Sequence, residues 1–262
     1  LGRPGAEKGP EALRRALGKM PLLRQGTALW DAGDLACSDR KLETLQEEFS
    51  QVISNLVKQG YFPMGIGGGH DIAYAHFHGL CQARGPETRI GILNFDAHLD
   101  LRTPLPQPHS GSPFLQIAHF CEREGREFHY CCAGARRDAN PQELLDRAAS
   151  LGATVLEREA MEAGRLESVL DRIRQFTEPL DALYLTIDLD GFSSAYAPGV
   201  SAASPMGFSV ETLLPCLDML LGSGKVLSMD IAELNPSHDR DSQTAVLAAS
   251  LVHQVLHFPG LF

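Results

Sequence analysis

Seven short apolar runs, near 27–30, 61–66, 89–95, 127–133, 153–156, 182–187 and 225–229, alternate with amphipathic stretches from one end of the chain to the other. Several are nearly continuous in hydrophobicity, as strands buried on both faces must be. Strands alternating with helical patterns build a mostly parallel sheet covered by helices on both faces, so the expected fold is a three-layer α/β/α domain. With no compositional break or linker, residues 1–262 read as a single domain. The pattern over 42–57 is helical, with apolar residues at Leu42, Leu45, Phe49, Val52, Ile53, Leu56 and Val57. A second helix is expected to begin at Asn140 and Pro141, with Asn as its cap and Pro in its first turn. Two more are expected over 210–221 and 244–256, and loops over 103–113, which carries four prolines, and 191–207.

The formal net charge of −10 repels phosphate backbones, which argues against a nucleic-acid partner, and an acidic small molecule would need arginines in its own pocket. No apolar run reaches the roughly 18 residues of a membrane helix. The first residues, LGRPGAEKGPEALRRAL, lack the apolar core of a secretory signal, so a cytoplasmic location is expected. Cys37, Cys81, Cys121, Cys131, Cys132 and Cys216 show neither a CxxC pair nor a repeated spacing and read as reduced thiols. Cys131 and Cys132, adjacent on an expected strand, should point to opposite faces.

Chemistry concentrates where three apolar runs end. Asp96, His98 and Asp100 follow the 89–95 run at i, i+2 and i+4, so if the extended backbone persists all three leave one face. Asp188 and Asp190 end the 182–187 run in the same way, and Gly67, Gly68 and Gly69 precede His70 at the end of the 61–66 run. The glycine segment lacks the GK[ST] of a phosphate loop. Ligand sites of parallel sheets lie beyond the carboxyl ends of strands, so the three motifs belong at one edge. Four carboxylates and two imidazoles form an oxygen-rich set suited to Mn2+, and without a cation they would repel one another severely.

The motifs GGGHD, DAHLD, TIDLDGF and MDIAELNP stand in the order of the ureohydrolase family, which includes arginase and agmatinase, and the chain resembles that family over nearly its whole length. The resemblance implies an arginase-like fold and two Mn2+ ions per chain. His70, Asp96, Asp100 and Asp188 would hold one ion, and Asp96, His98, Asp188 and Asp190 the other, with Asp96 and Asp188 bridging. Asp100 would also pass a proton to the departing amine. Glu233 matches the family carboxylate that pairs with the amidinium nitrogen of the substrate. The segments GRPGAEKGPEALR, SGSPF, YAPGVSAASP and NPSHDRDSQTAVLAA are most similar to the formimidoylglutamase branch, whose reaction is hydrolysis of N-formimino-L-glutamate to glutamate and formamide in histidine degradation.

For the acidic tail of that substrate, Arg102 and one of Arg136 or Arg137 are the expected partners, because a guanidinium fork reads a carboxylate bidentately. Ser110 stands where arginase and agmatinase carry a proton-shuttling histidine, and His109 lies beside it. Both are candidate substrate contacts. Relatives place an initial strand before the motif that opens this sequence, so an N-terminal strand is expected to be missing; a homo-oligomer is possible on the same resemblance. Agmatinase or another guanidino hydrolase is the competing enzyme reading, which Arg102 opposes. A non-catalytic metal-binding protein is a further alternative, opposed by the intact ligand set.

Overall fold

The computed structural model describes residues 3–23, 29–37 and 40–261. Six strands, β1 (Met64–Ile66), β2 (Ile90–Phe95), β3 (His129–Ala135), β4 (Thr154–Glu157), β5 (Ala182–Asp188) and β6 (Val226–Ala232), form one sheet in the order β1-β6-β5-β2-β3-β4. Every pairing is parallel. All six expected runs from 61–66 onward become strands. The run at 27–30 lies partly outside the described residues; Leu29 and Trp30 have no regular structure and are exposed.

Side chains along the strands alternate between two apolar layers, as a period of two requires. Leu93 and Phe95 of β2, Cys131 and Ala133 of β3, and Leu183, Leu185 and Ile187 of β5 face one layer. That layer is completed by α1 (Gly9–Leu17), α6 (Leu166–Thr177), α7 (Val210–Gly222) and α8 (Gln243–Leu256). Ile90, Ile92, Tyr130, Cys132, Ala182 and Tyr184 face the other, against α2 (Leu42–Lys58), α3 (Ile72–Arg84), α4 (Pro113–Arg123) and α5 (Gln142–Ser150). Cys131 and Cys132 therefore sit in opposite layers, as their adjacency implied. The result is the three-layer α/β/α arrangement.

One expected cap is corrected. Helix α5 begins at Gln142 with no side-chain cap. The Asn140 side chain is buried and faces the sheet instead: its Oδ1 accepts the Leu99 N–H at 2.9 Å, and its Nδ2 donates to the carbonyls of Ala97 and Arg136 at 2.8 Å each. Three backbone partners in a dry environment outcompete one solvent-facing helix N–H.

The chain leaves β2 toward β3 and leaves β5 toward β6, in opposite directions along the sheet. A crevice must open where neighbouring strands diverge in this way, and β2 and β5 are neighbours. The strands that carry the sequence motifs, β1, β6, β5 and β2, are four consecutive neighbours, so their carboxyl ends converge on that crevice.

Candidate metal centre

Strand β2 ends at Phe95, before the first ligand, so the backbone from Asp96 to Asp100 is not extended. Asp100 adopts a left-handed conformation, φ 47°. The expectation that three ligands share one strand face is therefore corrected: the segment coils, and its residues serve two groups. His70, Asp96, Asp100 and Asp188 present ligand atoms within 4.8 Å of one another, and so do Asp96, His98 and Asp190. Asp96 belongs to both. Asp188 is placed only in the first group.

The two strand-end aspartates are built alike. Asp96 Oδ1 accepts the His98 N–H at 2.7 Å and Asp188 Oδ1 accepts the Asp190 N–H at 2.8 Å, each closing a turn two residues long. Their Oδ2 atoms are left to face His70 Nδ1, at 3.2 Å from Asp96 and 3.1 Å from Asp188; Asp100 Oδ2 is at 3.0 Å. Asn94 Nδ2 donates to Asp96 Oδ2 at 3.1 Å, and His98 Nδ1 lies 3.1 Å from Asp190 Oδ1.

The electrostatics show why this arrangement calls for a cation. His70 and Asp96 are fully buried and Asp188 is nearly so. Burial, then the charges of Asp190 and Asp96, hold the Asp188 carboxyl well above its ordinary range; burial, then Asp96, raise that of Asp100. The Asp96 carboxyl lies below its ordinary range, burial being outweighed by hydrogen bonds from His70 and His98. A buried carboxylate is tolerated only when paired or bound to metal. Three carboxylate oxygens around one imidazole nitrogen match hard-cation coordination, and the residues present fit Mn2+ in donor type and number.

Glu233 joins the rim of this cluster from the end of β6. It too is left-handed, φ 67°, a conformation that costs a non-glycine residue about 1 kcal/mol or more and collects at functional sites. Its N–H donates to the Gly68 carbonyl at 2.8 Å and its Oε1 accepts the His70 N–H at 3.1 Å. Burial, then the negative Asp190, push its carboxyl up to about 7. Gly69 makes this approach possible. A Cβ there would stand 2.6 Å from Asp71 Oδ1, 3.3 Å from Ser110 Cβ and 3.4 Å from Glu233 Oε1. Ser110 thus faces the same glycine as Glu233.

The loop 101–112 doubles back, with Arg102 N–H donating to the Gly111 carbonyl at 2.9 Å and Phe114 N–H to the Asp100 carbonyl at 3.3 Å. Arg102 is exposed, and its guanidinium packs on Gly111 with no ion pair or hydrogen bond to another described residue. His109 is anchored: its Nδ1 accepts the Gly111 N–H at 3.1 Å, and its Nε2 lies 3.3 Å from the Thr103 carbonyl. Of the paired arginines, Arg137 is three-quarters exposed and pairs with Glu157 at 2.8 Å. Arg136 is buried; its Nε lies 3.1 Å from Asp138 Oδ1, its Nη1 has no hydrogen-bond partner among the described residues, and it lines a cavity of about 280 Å3 with Arg137, Asp138, Arg158, Glu159 and Met206.

The model of the arginase family matches residues 1–257. The chain belongs to the arginase family. It is similar to the formimidoylglutamase of Ralstonia nicotianae, with 44% identity over 97% of this chain and 79% of that protein. The formimidoylglutamase of Geobacillus thermodenitrificans is 39% identical over 99% of this chain and 80% of its own length. Among solved structures, a Trypanosoma cruzi formiminoglutamase variant with Mn2+ superposes with a TM-score of 0.85 at 25% identity, covering 97% of this chain and 86% of that one. Arginase from Bacillus subtilis gives 0.83 at 25% identity, covering 98% and 94%. This family member's fold is therefore arginase-like. Among the described residues, no helix is long and apolar enough to cross a membrane.

Proposed function

We infer that this chain is a manganese-dependent C–N hydrolase that cleaves N-formimino-L-glutamate to L-glutamate and formamide. The observation that carries this reading is 44% identity with a formimidoylglutamase over 97% of this chain, joined to the buried cluster of His and Asp ligands.

His70, Asp96, Asp100 and Asp188 would hold one Mn2+, and Asp96, His98 and Asp190, with Asp188 bridging, the other. When bound, the ions supply Lewis-acid activation of water for attack on the planar formimino carbon. The chain's own residues do the rest. Glu233, anchored on the His70 N–H, offers its carboxylate to the amidinium nitrogen and so fixes the carbon over the cluster. Asp100 accepts a proton on its carboxylate and returns it to the glutamate nitrogen as the C–N bond breaks. Arg102, with no carboxylate partner among the described residues, is the group offered to an acidic tail, and Arg136, whose buried Nη1 is unpartnered among them although its Nε pairs with Asp138, is favoured over Arg137 as a second. Ser110, which borders Gly69 as Glu233 does, would hydrogen-bond substrate. His109, with both ring nitrogens engaged, is assigned to holding the loop. The negative net charge supports a small-molecule substrate rather than a nucleic acid.

A panel of formiminoglutamate, agmatine, arginine and guanidino acids, assayed with added Mn2+, tests the reading. Turnover should be greatest with formiminoglutamate. Preference for agmatine would move the chain to another branch of the family.

A further inference from the structure

We propose that Thr186 and Asp230 are positioning residues that fix the tautomer and orientation of His70, so that its Nδ1 lone pair is presented to a metal ion. The proposal rests on the reading of the cluster as a metal centre and deepens it.

His70 Nε2 lies 2.9 Å from Thr186 Oγ1, and Thr186 Oγ1 donates to Asp230 Oδ1 at 2.5 Å. A hydroxyl has one proton, and a carboxylate has none to give. With the Thr186 proton committed to Asp230, Thr186 Oγ1 can only accept from His70. The proton of a neutral His70 ring is thereby held on Nε2, and Nδ1 is left unprotonated among the three carboxylate oxygens at 3.0–3.2 Å. A lone pair pointed at three anionic oxygens needs a proton or a metal ion between them, and with the Nε2 proton fixed a metal ion binds in place of the proton on Nδ1.

The sheet register builds this chain of bonds. Thr186 of β5 is the direct partner of Asp230 of β6, and Asp230 is in turn the partner of Gly65 of β1. On its far side the Asp230 carboxylate accepts the Tyr184 hydroxyl, and His76 Nδ1 lies 2.8 Å from it. His76, Ser228, Asp230, Thr186 and Tyr184 are all fully buried. Gly65 is required for the close approach, since a Cβ there would lie 3.0 Å from Asp230 Cβ and 3.2 Å from His76 Nδ1. A buried carboxylate held by two hydroxyl donors and packed against His76 Nδ1 cannot rotate away, so it holds the Thr186 hydroxyl, and the hydroxyl holds the imidazole. Phe114, edge-on to the His70 ring at 5.3 Å, limits ring tilt.

The test is calorimetric titration of the chelator-treated full chain with Mn2+, alongside metal content and thermal melting, for wild type, Thr186→Val, Thr186→Ser and Asp230→Asn. Loss of such a partner typically weakens metal affinity about 10- to 100-fold. Thr186→Val should show that loss at one Mn2+ equivalent while the other is retained, and Thr186→Ser, which keeps the hydroxyl, should restore it. Asp230→Asn should weaken the same equivalent, because an amide N–H2 would stand where the carboxylate accepts from the Thr186 and Tyr184 hydroxyls. Wild-type affinity for both equivalents in Thr186→Val would overturn the proposal alone. Equal weakening of both equivalents in Thr186→Val that Thr186→Ser does not restore would overturn it too. A wild-type chain that binds no Mn2+ would sink the metal-centre reading and this proposal with it.

Discussion

Glu233 Oε1 accepts the backbone N–H of His70 at 3.1 Å across 163 residues of sequence. The carboxylate assigned to the substrate is thus tied to the backbone of a metal-ligand candidate, and any shift of one moves the other. Glu233→Gln keeps an oxygen to accept that N–H but loses the charge offered to the amidinium. It should retain full Mn2+ content and lose about thirtyfold or more in kcat/KM, the equivalent of roughly 2 kcal/mol for an unpaired buried charge partner. Loss of metal together with activity would instead place Glu233 among the ligands.

Among the described residues Arg102 has no carboxylate partner, so its removal should act through substrate. Arg102→Ala should lower kcat/KM for formiminoglutamate at least tenfold, leave the melting temperature unchanged, and improve the relative use of agmatine. Unchanged kinetics would mean that another group, with Arg136 the first to examine, reads the acidic tail.

Stability of the metal-free chain should fall as pH rises from about 4.5 to 7. Glu233 at about 7, together with Asp100 and Asp188, binds protons more tightly folded than unfolded, so their stabilising protonated state is present at low pH and lost as pH passes their folded pKa values. Asp96, shifted the other way, is ionised in both states above about pH 4.5 and leaves this trend unaltered. Mn2+ should reverse the trend, because ligands must be deprotonated to bind. Melting curves at several pH values, with and without Mn2+, would refute the idea if the metal-free chain gained stability over this range.

Of six cysteines, only Cys37 is exposed; burial raises the thiol pKa of the others, Cys131 being pushed up to about 12. Titration with a thiol reagent should find one reactive group in the native chain and six after denaturation. Two or more rapidly reacting thiols in the native state would contradict the burial of Cys81, Cys121, Cys131, Cys132 and Cys216.

What the sequence by itself determined was local. Apolar runs buried on both faces specify strands, the 3.6-residue period over 42–57 specifies α2, and carboxylates and imidazoles at strand ends specify a hard-metal centre at one sheet edge. These signals survive because each depends on a few neighbouring residues. Only the tertiary structure decided how the ligands are shared. The Asp96–Asp100 segment coils because the Ala97 carbonyl is taken by the Arg136 N–H and Asn140, while the Leu99 N–H is taken by Asn140, so His98 goes to Asp190 and Asp100 to His70. In the same way the Thr186–Asp230 contact is set by strand register. Such contacts join residues tens to hundreds of positions apart, and hydrogen bonds of that kind leave no periodicity in a sequence; they form only where the folded backbone brings a donor to an acceptor in a place that water cannot reach.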